Sequence, residues 1–369
     1  MPTAVFCGQG CGKIGSRVTK ARMKRMRRRP DRYRFTHSLR TILALPRALA
    51  ISRELSRQSG SIASVKIFYR PIHRGPIMEV ERTAKGFNIY SRRLKRKSFM
   101  HRAPSVLALL RRPDCITTRT TVCIGEGLTA KESTRAPMIA FCAGRGHRAI
   151  LIPDYEFLSS HGYDGLRRWA ALNWQEWDSR SETVLWRGAT SGSGSISSPE
   201  MIHDRLLPRV QLCLVAKNIP GTDMKITNIV QSKSPDLDRD RLAQAGIMGA
   251  RLPVETWAGH KFAIDIDGNT NSFGTMLQRW ILGCCVLKVG GTDGWGQWYY
   301  DSVKPWVHFI PVHSDLSDLA EKIAWCRHND QKCQQIAAEG RAFANSLEYE
   351  TEKKLAVERI NAAYQSSVT

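Results

Sequence analysis

A chain of 369 residues with 42% hydrophobic residues can bury a sizeable core and is long enough for two domains. Its 56 Lys and Arg against 33 Asp and Glu leave a formal charge of +23, which excludes an acidic solvating chain and points to anionic partners. No run offers the roughly 20 apolar residues that a membrane-spanning helix needs, since the best stretch, TILALPRALAIS (41–52), is broken by Pro46 and Arg47.

The positive excess is concentrated at the start. Residues 1–60 carry fifteen Lys and Arg against only Asp31 and Glu54, and KARMKRMRRRPDRYR (20–34) is the densest part. Such a run forms a solvated basic tail, and an anionic membrane surface attracts it at about 1 kcal/mol per cation. Nucleic acid is a third partner for this charge, but Tyr33 is the one aromatic among the cations of this run and no docking motif is present, which argues against it. GQGCGKIGS (8–16) imitates a phosphate loop by eye, yet no strand leads into it and no periodic helix follows. The first thirty residues lack the apolar core of a secretory signal. None of the ten cysteines forms a CxxC pair, and Cys7 and Cys11 have no His set nearby. Zinc is therefore not expected, and a reducing compartment fits best.

Beyond the tail, SVKIFYR (64–70), IMEVERT (77–83) and GFNIYSRR (86–93) read as three strands. A helix follows at APSVLALLRR (103–112), with Leu107, Leu109 and Leu110 on its apolar face. TTVCIGEG (120–127), APMIAFCA (136–143) and AILIPDYEFL (149–158) are β-rich, and the first ends in a Gly-Glu-Gly loop. DGLRRWAALNWQEWDSR (164–180) is helical, and TVLWRG (183–188) opens a second half with a strand. RLLPRVQLCLVAKN (205–218) and DLDRDRLAQAG (236–246) are helical or mixed. KFAIDIDG (261–268) and CVLKVGG (285–291) are strands flanking the helix FGTMLQRWILGC (273–284). SDLSDLAEKIAWCRHND (314–330) is a helix capped by Ser314, and 331–365 is helical to its end. Strands alternating with helices predict an α/β fold with parallel sheets, and the change of pattern near 180 predicts two of them.

Three segments carry candidate chemistry. LWRGATSGSG (185–194) lacks the lysine of a Walker loop and the spacing of GxGxxG. What remains is a strand ending in Arg187, then bare backbone and the hydroxyls of Thr190, Ser191, Ser193 and Ser195. That composition suits a diphosphate, or equally a plain turn. DIDG (265–268) has the Asp-x-Asp spacing of a metal-diphosphate site, but any strand with two acids on one face would match. The NTNS loop after it opens a helix, an anion site in its own right. DGWGQWYYDSVKPWVHFIPV (293–312) crowds in Trp295, Trp298, Tyr299, Tyr300 and Trp306, either as a core wall or as a surface for a base or sugar.

WRGATSG, HKFAIDIDGNTNSF, GCCVLKVGG, DGWGQWYYDSVKPWVHFIPVHSDLSDL and AEKIAWCRHNDQKCQQIAAEGRAFA occur in this order between 183 and 346. Together they resemble glycosyltransferase family 90, the capsule-associated and lipopolysaccharide-modifying group that includes animal protein O-glucosyltransferases. The resemblance implies a GT-B-like α/β fold of two Rossmann-like domains facing a cleft. The division would be a basic tail (1–60), an acceptor-side domain (61–180), a UDP-sugar domain (181–345) and a helix crossing back (346–369). It also implies an inverting transfer of a glucose- or xylose-type sugar from a UDP-sugar to a hydroxyl of a surface glycan or lipopolysaccharide. No cofactor and no divalent metal are expected.

On this resemblance Arg187 and Gly188, followed by Thr190, fall on the family's Arg-Gly loop. Gly268, Asn269, Asn271, Ser272 and Phe273 fall on the loop approaching the diphosphate, and Trp295 and Tyr300 on the aromatic block beside the donor. An arginine frequent after the Ser-Phe pair is Gly274 here, with Arg279 as its substitute, and the acid before Trp295 is Gly294. The catalytic base, an Asp in the family, falls on Glu126, with Asp154 as runner-up; its task is to take the acceptor hydroxyl's proton. The expected setting is cytoplasmic and peripheral to the membrane, with 20–34 near anionic lipid, because no signal peptide or retrieval tail is evident. A catalytically degenerate glycan binder and, on charge alone, a nucleic-acid binder are the alternatives.

Overall fold

The computed structural model describes residues 44–55, 64–70, 75–92, 94, 96–128, 137–147 and 149–366. The basic run 20–34 and the GQGCGKIGS segment lie outside them. Helix α1 (44–55) turns Ala48, Ile51 and Leu55 inward. Strands β1 (Ser64–Tyr69), β2 (Ile77–Thr83), β3 (Gly86–Ser91), β4 (Arg119–Cys123), β5 (Ile139–Ala140) and β6 (Ile150–Leu151) form one sheet in the order β1-β3-β2-β4-β5-β6. Only β2 runs antiparallel to its neighbours. Alternation in β1 and β3 buries Val65, Ile67, Phe87 and Ile89, in one core with Phe99, Val106 and Leu109 of α2 (Arg96–Leu110).

Short helices α3 (Tyr155–Ser159) and α4 (Asp164–Leu172) lead to the second unit. There β7 (Val184–Ala189), β8 (Thr222–Asn228), β9 (Phe262–Ile266), β10 (Cys285–Val289) and β11 (Ile310–Val312) form an all-parallel sheet in the order β11-β10-β9-β7-β8. Every residue of β9 is buried, as expected of a central parallel strand. Helices α5 (Pro208–Ala216), α6 (Pro235–Gln244), α7 (Thr275–Ile281), α8 (Leu319–His328) and α9 (Asp330–Ser346) complete the unit. From β7 the chain moves outward to β8, then returns to β9 on the other side. That reversal opens a crevice at the carboxyl ends of β7 and β9.

The last helix, α10 (Tyr349–Gln365), packs back on the first unit. Its Tyr364 hydroxyl accepts the N–H of Thr121 at 2.7 Å and donates to the Pro137 carbonyl at 2.8 Å. Glu352, in its first turn, accepts from the Trp298 indole at 3.0 Å. Two Rossmann-like units thus face one another across a cleft, the GT-B arrangement expected from the resemblance.

Several elements differ from expectation. AILIPDYEFL is not one strand: it turns at Pro153, and the Asp154 carboxylate accepts the N–H groups of Glu156 and Phe157 at 2.8 and 2.9 Å to cap α3. Helix 164–180 stops at Leu172. Strand β8 was not expected, because only Met224 and Ile226 of TDMKITN are buried in this edge strand. Ser314 does not cap α8, which starts at Leu319 after a turn that holds Leu316 at φ 63°. The terminal helix is two helices, broken where the Arg167 guanidinium donates to the Ala344 and Leu347 carbonyls.

Candidate active site

The crevice holds a cavity of about 320 Å³. The second unit contributes the ends of β7 and β9, Arg209 and the loop 268–273; the first unit contributes Arg102, Glu126 and Tyr155. Small residues are needed where the backbones converge. A Cβ on Gly188 would meet the Trp186 ring, and one on Gly268 would meet the Ser191 hydroxyl and the Arg209 guanidinium. Gly192 holds φ 133°, a conformation that residues with a Cβ rarely adopt.

Three arginines line the cavity in different electrostatic states. Arg187 is turned toward the sheet edge, with Nη2 paired to Asp223 at 2.5 Å and Nη1 on the Asp223 and Trp186 carbonyls. Its charge is therefore largely answered. Arg209, at the start of α5, donates through Nε to the Asp267 carbonyl at 3.1 Å. Its terminal nitrogens reach the Ile266 carbonyl at 3.1 Å and the Ser191 hydroxyl at 2.8 Å. These acceptors are neutral, and among the described residues Arg209 has no ion-pair partner. Burial pulls its pKa below the ordinary value. Arg102 lies over the Tyr155 and Phe273 rings, 5.1 and 5.6 Å from their centroids, and donates to the Ile124 carbonyl at 3.1 Å.

The Asp-x-Asp pair is already occupied. The Lys288 ammonium, from β10, lies 2.7 Å from both Asp265 and Asp267. Burial lowers the Lys288 pKa, but Asp265, Tyr300 and Asp267 outweigh it and hold the group well above the ordinary lysine value. Burial raises Asp267. Ser272 donates to Asp265 and so fixes the loop behind the cavity.

Glu126 follows β4 and is exposed, although Gly125 and Gly127 on either side of it are buried. Its Oε2 accepts from Asn269 Nδ2 at 2.7 Å, and its carbonyl accepts from Cys142 Sγ at 3.1 Å and Thr270 Oγ1 at 3.3 Å. A Cβ on Gly127 would meet the Cys142 sulfur, the Trp295 ring and the Thr270 methyl. Trp295 thus props the loop from behind. Ala143 and Gly296 exchange N–H···O bonds of 3.1 and 2.9 Å, which pins the two units together beside it.

The cavity therefore gathers Glu126, Arg187, Gly188, Gly268, Asn269, Asn271, Ser272 and Phe273. The other sequence candidates lie elsewhere. Thr190 is buried and braces Val230, accepting its N–H at 2.8 Å and donating to its carbonyl at 3.0 Å. Asp154 is a buried cap, pushed up to about 7 mainly by burial. Arg279 stacks 3.5 Å over Trp257 inside the core, where burial pulls its pKa down to about 10, so it does not stand in for an arginine at Gly274. At Gly274 itself a Cβ would meet the Tyr163 hydroxyl and Glu156. Tyr300 packs behind the acids, 5.9 Å from Lys288 to its ring centroid. Sequence reasoning missed Arg102, Arg209 and Lys288. Lys288 had a signal, a lone cation inside the apolar run CVLKV, and Arg209 had a weaker one just after Pro208 at a helix start.

The profile of glycosyl transferase family 90 matches residues 125–352. Rat protein O-glucosyltransferase 1 is 30% identical over 222 residues, covering 56% of this chain and 51% of its own length. Protein O-glucosyltransferase 2 of Danio rerio is 24% identical over 218 residues, 57% of this chain and 39% of its own. Uncharacterized protein 179R of Invertebrate iridescent virus 6 is 32% identical over 184 residues, 45% of this chain and 15% of its own. The chain thus spans about half, or less, of the length of these relatives. Among solved structures, Anabaena Alr3699/HepE in complex with UDP-glucose shares 14% identity at a TM-score of 0.34, covering 55% of this chain and 52% of that one.

Proposed function

This chain belongs to glycosyl transferase family 90, and from that premise we propose that it moves a glucose- or xylose-type sugar from a UDP-sugar to a hydroxyl of a surface glycan or lipopolysaccharide, with inversion at C1. The observation that carries the reading is Arg209, a guanidinium in the cavity whose hydrogen bonds among the described residues all go to neutral oxygens. It sits beside bare backbone at Gly188 and Gly268, where the strand order reverses. A diphosphate answers both features, since its oxygens take charge-assisted bonds from a guanidinium and close contacts from main-chain N–H groups. The protein O-glucosyltransferases among the relatives support glucose as the sugar.

Glu126 reaches the cavity from the first unit and is the base in this scheme. The acceptor hydroxyl gives its proton to Glu126 as its oxygen bonds C1. The bond from C1 to the β-phosphate oxygen breaks on the opposite face, and its electron pair leaves with UDP. Lys288 supports a reaction without a divalent metal, because its ammonium already answers both Asp265 and Asp267. The charge of residues 20–34 supports attraction to an anionic membrane surface, and the buried free thiols support a reducing, cytoplasmic setting.

The test is a thermal-shift and calorimetric screen of UDP and UDP-sugars, followed by a transfer assay with the strongest binder. Saturating UDP is expected to raise the melting temperature. Arg209→Ala is expected to weaken UDP by about 10- to 100-fold, the worth of one charge-assisted bond. A wild-type protein indifferent to UDP removes the main support for the reading. Gly274 and Gly294, which depart from the family pattern, favour a second reading as a glycan binder without turnover; UDP release from any UDP-sugar excludes it.

A further inference from the structure

We propose that Asn269 is a positioning residue that ties the donor loop to the base across the cleft; the inference rests on the UDP-sugar reading above. One carboxamide makes two bonds in opposite directions. Its Oδ1 accepts the Gly192 N–H at 2.9 Å, and its Nδ2 donates to Glu126 Oε2 at 2.7 Å. Chemistry fixes this orientation, because a main-chain N–H only donates and an ionised carboxylate only accepts. A flipped amide would lose both bonds.

The Glu126 main chain is held separately, through Cys142 and Thr270 on its carbonyl. Its exposed side chain is not. Among the described residues Asn269 makes the only hydrogen bond to that carboxylate. At the other end, Gly192 belongs to the small-residue loop that Arg209 also grips, through Ser191. Gly268 N–H donates to the Thr270 carbonyl at 2.7 Å and closes the tight turn that presents Asn269. A loop ordered around the diphosphate therefore sets Asn269, and Asn269 sets the base. The base is aimed only when the two units lie close enough for the 2.7 Å bond.

The experiment uses the full chain, UDP-glucose as the first probe and UDP release as the signal, with water or an acceptor taking the sugar. Asn269→Asp keeps the shape and the acceptor facing Gly192, but cannot donate to Glu126. It is expected to lower kcat at saturating donor by about 10- to 100-fold, the scale of a misplaced catalytic group; the new carboxylate beside the diphosphate also raises KM, so kcat is the quantity read. Glu126→Gln lowers kcat on its own. If Asn269 acts through Glu126, adding Asn269→Asp to Glu126→Gln changes kcat by less than about 2-fold, because the two losses are not independent. A merely structural role predicts multiplied losses. Wild-type kcat in Asn269→Asp, or multiplied losses in the double variant, overturns the inference and leaves the transferase reading intact. A wild-type chain that neither binds UDP nor releases it from any UDP-sugar overturns both.

Discussion

Replacing Lys288 by Met tests whether its ammonium is the counter-ion of the Asp265 and Asp267 pair. The side chain is only 11% exposed, its nitrogen lies 2.7 Å from each carboxylate, and Met fills similar volume without charge. Removing one partner of a buried ion pair costs about 3–5 kcal/mol, because the other charge is left unanswered. Two carboxylates are left here, so the upper end applies. At about 2–4 °C per kcal/mol for a domain of this size, the melting temperature should fall by roughly 10–20 °C at pH 8. The pH dependence has a definite sign. Burial already pushes the Asp267 carboxyl up, and losing the ammonium removes a main opposing charge. A folded-state pKa raised above the unfolded value means that the folded form takes up protons, so the deficit shrinks as pH falls toward 5. Urea denaturation of wild type and Lys288→Met at pH 5 and pH 8 measures both effects. A variant as stable as wild type at pH 8, or a deficit that grows on acidification, refutes the reasoning.

Gly192→Ala places a Cβ at φ 133°; with a strain of about 1–3 kcal/mol it should lower the melting temperature modestly and weaken UDP in calorimetry, whereas unchanged UDP binding would free the loop from this role. Asp154 lies outside the cavity, so Asp154→Asn should keep kcat where Glu126→Gln loses it. Because the Asp154 carboxyl is pushed up to about 7, its contribution to stability is full below the unfolded carboxylate range near 4 and is lost as pH rises through 7. Asparagine still caps a helix, so Asp154→Asn should flatten that decline in a denaturation series from pH 4 to 8.

The strands that bury both faces were legible. Phe262–Ile266 and Cys285–Val289 are short, mostly apolar runs, each followed by a polar or glycine-rich loop, and the sequence leaves little else for them to be. Strand Thr222–Asn228 was not, because an edge position lets Asp223, Lys225 and Asn228 stay polar. At the site, motif order located the loops 187–188 and 268–273, but side-chain direction decided the chemistry. Arg187 carried the clearer motif yet turns to Asp223, while Arg209, without a motif, faces the cavity. Helical spacing placed Arg279 near the same loop, and the turn of α7 sends it into the core over Trp257. The pairing of Asn269 with Glu126 joins residues far apart in sequence, and no local pattern encodes such a contact.

Helix α10 sets the chain's assembly order. Ala356, Val357 and Ile360 fill the same core as Val65, Phe87 and Leu109. A ribosome delivers the first unit's strands before the second unit, and this closing layer only after it. The first unit therefore leaves the exit tunnel with a face still open, and it waits for the second unit to be made before it can be sealed. Synthesis runs from first unit to second, but completion runs the other way.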